Sequence, residues 1–137
     1  MVCELNAARA AAGRAPLRAR PSLEEAATAH AADMVERGYF AHESPDGANA
    51  ADRAHRSGYL RRADHWRIGE ILIWTRGAPL TAKAAVDAWL ASPPHRRILL
   101  QPPYEDVGVG IVPGAPAGRP ATQPATTIAV SLGRRSF

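Results

Sequence analysis

The sequence predicts an α+β domain in which helices cover both faces of a small, mainly antiparallel sheet. Three observations point there. Apolar residues recur at helical spacing through the first third of the chain, and three short runs rich in β-branched residues lie further on. The order of segments is helix, helix, short helix, strand, helix, short helix, strand, strand, so a sheet of these strands has helices available for both of its sides. With 137 residues, 46% of them hydrophobic, the chain is expected to form one domain over 1–137 with a core of its own.

Each element has a local reason. Val2, Leu5, Ala8 and Ala12 mark a first helix that Gly13 can stop, and a basic extended linker, Arg14 to Pro21, follows. Ser22-Leu-Glu-Glu25 has the pattern of a capping box; behind it Leu23, Ala27, His30, Ala31 and Met34 line one helical face as far as Gly38. Ser44-Pro-Asp-Gly47 is a type I turn signature, and Asn49 to Ser57 a short helix closed by Gly58. Ile68 to Trp74 predicts a strand, and Thr81 to Ala91 a helix with Val86, Trp89 and Leu90 inward. At the corner that follows, Ser92 can cap a helix begun by Pro93. Asp106 to Val112 and Thr126 to Leu132 alternate as strands. Between them the Pro/Gly/Ala run 113–124 has nothing to bury and is expected to be a mobile loop whose shortening the fold tolerates.

Composition narrows the function classes. The net charge of +4 rests on 17 basic residues, of which only Lys83 is lysine. The arginines are scattered, and the densest group (Arg53, Arg56, Arg61, Arg62, Arg67) lacks interleaved aromatics, so it is read first as a solvated face and second as a weak patch for an anionic surface, and no nucleic-acid partner is expected. No apolar run is long enough to span a membrane. The segment MVCELNAARAAAG, with Glu4 near its start, is an amphipathic helix and not a signal peptide, so an export signal would lie outside this sequence. The single Cys3 excludes an internal disulfide; its place on the apolar side of the first helix predicts a buried thiol.

Three residues stand out for chemistry. His42 sits just before the Ser44 to Gly47 turn, Glu70 opens a strand beside Gly69 and between isoleucines, and His95 lies in the first turn of the helix behind Ser92 and Pro93. All three are at junctions of loop and element, where functional groups are commonly displayed. A carboxylate flanked by Ile68 and Ile71 is expected to be partly buried and to need a partner. His30, alone on an apolar stripe, is expected to be a core histidine bonded to backbone.

The chain resembles the CAP superfamily in its SCP-like bacterial secreted branch. The likeness runs through Leu5-Asn-Ala-Ala-Arg9 with Gly13 and Leu17, Ala-x-x-His30-Ala-x-Asp-Met34, and Phe40-Ala-His42-Glu-Ser-Pro-Asp-Gly47. It continues with Arg53, Gly58-Tyr59, Gly69-Glu70, Trp89-x-x-Ser92-Pro-Pro-His95-Arg96, Ile98-Leu99, Tyr104 and Val107-Gly-Val-Gly110. This resemblance implies a three-layer α-β-α sandwich and a cleft floored by two histidines and acidic residues, matched here by His42, His95 and Glu70. Two departures are visible: Ile71 stands where the family usually has Asn, and a second cleft glutamate would fall near Ser92.

Two imidazoles and a carboxylate are also the ligand set of many catalytic zinc sites, so His42, His95 and Glu70 are expected to take a divalent ion such as zinc if a cofactor is present. With Ser92 they form the expected ligand-binding set; no catalytic residue can be named. With what the resemblance implies added, the function expected is a secreted, extracellular module binding a small, lipid-like ligand or a divalent ion, with cell-envelope components as partners. The alternative is a metal-dependent hydrolase at the cell envelope.

Overall fold

A computed structural model describes residues 1–77, 79–116 and 124–137. Its elements are α1 (Val2–Ala11), β1 (Arg18–Ala19), α2 (Pro21–Arg37), α3 (Ala50–Arg56), β2 (His65–Arg76), α4 (Ala82–Ala91), α5 (Pro93–Leu99), β3 (Asp106–Pro113) and β4 (Ala125–Ser136). The strands form one sheet in the order β1-β3-β4-β2. β4 runs antiparallel to both β2 and β3, with Ile71 opposite Val130 and Val109 opposite Val130, and only the two-residue β1 lies parallel, against Asp106 and Val107.

Alternation along the strands sorts the core into two faces. On one, Ile71, Val107, Val130 and Leu132 pack with Leu5 of α1, Trp89 of α4 and Leu99 of α5. The Trp89 indole N–H also donates to the Leu72 carbonyl at 3.0 Å, tying α4 to β2. On the other face, Leu72 and Ala129 meet Ala27, Ala31 and Met34 of α2, and Ile68 packs near Leu23, Ala54 and Tyr59. The expected α-β-α sandwich is therefore the architecture observed.

α2 lies unusually close to β3 because that strand shows it glycine. A Cβ at Gly108 would fall 2.0 Å from the Leu23 carbonyl carbon, and one at Gly110 2.3 Å from the Thr28 nitrogen. The Val-Gly-Val-Gly run thus sends its valines to one layer and leaves room for helix backbone on the other.

Four local expectations are corrected. α2 begins at Pro21, not behind a Ser22 cap: the Arg20 N–H bonds the Val107 carbonyl, which continues the β1 pairing and holds Arg20 extended as the N-cap, without a side-chain cap. The linker is not merely extended, since it contributes β1. Cys3 is exposed, because α1 buries Leu5 and Arg9 and turns position 3 outward. The 113–124 run does bury something: Pro113 ends β3, the Gly114 N–H bonds the Ala125 carbonyl, and Ala115 is buried. Residues 117–123 of that run, for which the sequence suggests mobility, lie outside the described residues.

Candidate functional site

Glu70 is an even-numbered β2 residue, so it points to the α2 and α3 side of the sheet, where its side chain is 3% exposed. Burial obliges it to find charged partners, and it has two. Its Oε1 accepts from His42 Nδ1 at 2.9 Å, and its Oε2 accepts from the Arg53 guanidinium, also at 2.9 Å.

Arg53 holds the whole arrangement. Asn49 caps α3 with a full capping box, accepting from the Asp52 N–H while the Asp52 carboxylate accepts from the Asn49 N–H. That fixes α3 so that Arg53, one turn in, reaches under the preceding loop. There it donates to the His42 carbonyl at 2.7 Å, the Ala48 carbonyl at 3.1 Å and the Ser44 hydroxyl at 3.2 Å. The Ser44 to Gly47 turn forms as its sequence suggests: the Gly47 N–H bonds the Ser44 carbonyl, and Gly47 takes φ of +86°.

A carboxylate can only accept, so His42 keeps its proton on Nδ1 and turns Nε2 away from Glu70. The His42 side chain is 60% exposed while the two groups behind it are buried. His30 is the core residue expected from its apolar stripe, its Nε2 donating to the Ala41 carbonyl at 2.9 Å. It also lies 3.6 Å from Glu70 Oε1, so two histidines flank one carboxylate.

The two titrate in opposite directions. The hydrogen bond that His42 donates to Glu70, reinforced by the carboxylate charge, raises the His42 pKa above the ordinary histidine value, against opposing effects of desolvation and Arg53. Burial lowers that of His30 despite the same carboxylate. For His42 the linked stability is full below the unfolded pKa of about 6.5 and is lost as pH rises through the folded value. For His30 the sign reverses: stability is full above about 6.5 and is lost as pH falls toward its lowered folded value. The melting temperature of His42→Ala should accordingly fall more steeply than wild type between about pH 7.5 and 5.5, since it keeps the His30 loss without the His42 gain. Parallel pH profiles for the two proteins would mean that the imidazole and carboxylate are not coupled in solution.

In front of the pair, the outer edge of β2 borders an open depression of about 410 Å³ lined by His42, Asn49, Trp66, Ile68, Ile98 and Tyr104, with Glu70 behind. Gly69 is needed here, because a Cβ would fall 2.3 Å from the Tyr104 hydroxyl. The group that approaches the Gly69 backbone this closely is a tyrosine. Trp66 is 46% exposed at the rim.

The sequence also suggests His95 for this cleft, and the structure shows its hydrogen bond to Ser92 and places Ile98, one turn further along α5, in the cleft lining. Pro93 starts α5 as expected, but Ser92 caps no backbone N–H; its hydroxyl instead meets His95 Nδ1 at 2.8 Å. The reason is positional, since a side chain at the third helical residue reaches back over the N-cap. α5 also belongs to the layer of Leu99, Trp89 and Ile71, the face of the sheet opposite the one to which Glu70 points. The structure joins His42 and Glu70 and gives His95 a partner of its own.

A divalent ion held by His42, Glu70 and His95 does not fit this arrangement. Both Glu70 oxygens are engaged, one of them by a guanidinium that already supplies the compensating charge. Among the described residues no group of three or more His, Cys, Asp or Glu side chains is placed to hold a metal ion. Sequence reasoning missed Arg53 as the central contact by placing it in a solvated arginine group. The available signal was the buried carboxylate itself, which demanded a cation, and the adjacent apolar Ala54, which shows that this part of α3 faces inward.

The fold and this edge cleft define an α-β-α domain with a histidine-carboxylate-arginine network at the sheet margin. The chain belongs to the CAP family, the cysteine-rich secretory protein family, whose model matches residues 3–126. It is 30% identical over 107 residues to the uncharacterized protein YkwD of Bacillus subtilis (strain 168), covering 78% of this chain and 39% of that protein. It is 32% identical over 106 residues to the uncharacterized membrane protein YlbC of the same organism, covering 77% of this chain and 29% of that protein. The chain therefore spans well under half the length of these relatives. Among solved structures, an outer surface protein from Borrelia burgdorferi shares the fold with a TM-score of 0.74 at 23% identity, over 98% of this chain and 90% of that one. An extracellular protein containing a SCP domain from Bacillus anthracis str. Ames gives a TM-score of 0.74 at 23% identity, over 95% of this chain and 37% of that one. Among the described residues no helix is long and apolar enough to cross a membrane.

Proposed function

We propose that this domain is an extracellular binding module for a small amphiphile, seated at the outer edge of β2. The observation that carries this reading is an exposed imidazole held from behind by a buried Glu70-Arg53 pair and set beside apolar surface. His42 Nε2 and Asn49 offer polar contacts to a headgroup, and Trp66, Ile68 and Ile98 offer an apolar wall to a short chain. A rigidly oriented donor or acceptor next to a dry wall is what small-ligand sites require, because ordering costs are met before the ligand arrives. Ser92 and His95 belong to the proposal only as the neighbouring corner, not as ligands of an ion. An extracellular setting is supported by the family and by the description of the Bacillus anthracis neighbour.

The test is a titration with a dansyl-labelled undecanoic acid, followed by its fluorescence. Saturable binding is expected, weakened at least about tenfold in His42→Ala and in Trp66→Ala, a change of about 1.4 kcal/mol. Equal binding by wild type and both variants, or no saturable binding, would remove the cleft from this role. Turnover of a p-nitrophenyl ester that disappears in His42→Ala would instead favour the hydrolase.

A further inference from the structure

The C-terminal ends of α1, α4 and α5 meet at a corner and enclose a second depression, of about 650 Å³, that shares no lining residue with the one beside His42. Its lining combines the apolar side chains of Leu90, Pro93, Leu100 and Pro102 with the guanidinium groups of Arg14, Arg96 and Arg97. The arginines are exposed, and among the described residues no acidic one lines the depression. Arg14 is held in place by donating to the Leu100 carbonyl at 2.9 Å.

A fourth cation lies underneath. Arg9 is fully buried and donates to the carbonyls of Ala15, Leu99, Gln101 and Tyr104, at 2.7 to 3.2 Å. All its partners are neutral carbonyls, so its charge is solvated but not cancelled. Among the described residues none of Arg9, Arg14, Arg96 and Arg97 takes part in an ion pair. Basic residues in the last turn of α5 complement the helix dipole, which accounts for Arg96 and Arg97 as cations. It does not account for the apolar side chains that line the same depression as these arginines and Arg14.

We propose that this corner docks an acidic segment of another protein, in which leucine-sized side chains alternate with aspartate or glutamate. The charge complementarity is one-sided, and guanidinium groups can take carboxylates through paired hydrogen bonds. The surface is concave, so a segment of chain can enter where a flat lipid surface cannot, and a free inorganic anion would leave the leucines and prolines unused. The groove lies across the sheet from Glu70, and its function does not depend on the edge cleft.

The experiment uses fluorescence anisotropy of a short fluorescein-labelled peptide alternating Leu with Asp and Glu. Wild type should bind it saturably and His42→Ala equally well. Arg96→Glu/Arg97→Glu should weaken binding by at least about tenfold, as should replacing the peptide leucines by serine. Arg61→Glu/Arg62→Glu, the same charge change made elsewhere on the surface, should leave binding within about twofold. Equal losses in the two double variants would reduce the effect to net charge and overturn the proposal. Binding to phosphatidylglycerol vesicles without binding to the peptide would overturn it in favour of a membrane surface.

Discussion

Replacing Glu70 by alanine is expected to lower the stability of the fold by about 3–5 kcal/mol, the range for removing one member of a buried ion pair. The cost does not come from the lost contact alone. Arg53 is 8% exposed and has no other carboxylate among its hydrogen-bond partners, so it would stay buried as an uncompensated cation. The loop carrying His42 would loosen as well, since Arg53 holds the carbonyls of His42 and Ala48 from below. For a chain of this size such a loss corresponds to a fall in melting temperature on the order of 10 °C or more. Urea denaturation should show the midpoint falling with the slope kept, while Glu70→Gln, which retains a hydrogen-bond acceptor, should fall less. A Glu70→Ala protein within about 1 kcal/mol of wild type would mean that the pair is open to water in solution.

The second large effect is expected at Gly108. A valine there must place its Cβ where the Leu23 carbonyl carbon and the Glu24 nitrogen already lie, 2.0 and 2.1 Å away. Both obstacles are backbone, so no side chain can swing aside and the first turn of α2 must lift from the sheet. The penalty should reach or exceed the upper end of overpacking costs, about 3 kcal/mol. Gly58→Ala provides the contrast. Nothing lies within 4 Å of a Cβ at that position, but φ is +82°, so only backbone strain of about 1–2 kcal/mol is at stake. Comparable denaturation midpoints for the two variants would show that α2 does not sit on β3 as closely as described.

Much of this architecture is legible in the sequence because it rests on local rules. The α2 stripe of Leu23, Ala27, His30, Ala31 and Met34 needs only helical periodicity, and all five residues are buried. The three long strands declare themselves by β-branched alternation, although β2 and β4 extend beyond the segments expected. What escapes local reasoning is set by tertiary pairing. β1 is two residues long and exists only because Asp106 and Val107 lie beside it. Cys3 and Leu5 share one helix, and which of them turns inward is decided by a sheet that the sequence of α1 does not contain.

The site divides in the same way. Glu70 announces its burial through Ile68 and Ile71, and the turn that presents His42 is spelled out by Ser44 to Gly47. The partner that completes the network, Arg53, is a consequence of α3 packing beneath the loop, a contact 17 residues from Glu70 in sequence. The corner that carries Ser92 and His95 is equally legible from its prolines. Their mutual hydrogen bond, and the packing of α5 on the sheet face opposite the one to which Glu70 points, follow from layer assignment and not from spacing.

The central position of β4 has a further consequence, in time instead of space. β2 pairs with β4 alone, and β3 has otherwise only the two residues of β1, yet β4 is the last element of this fold to be synthesised. Until it emerges from the ribosome, the earlier strands have almost no ladder to join, and closing His65 against Ser136 spans about half of the polypeptide. Such non-local pairing makes for slow folding. A nascent chain of this topology stays pliable until β4 has been made, so its sheet closes in one late step instead of growing strand by strand.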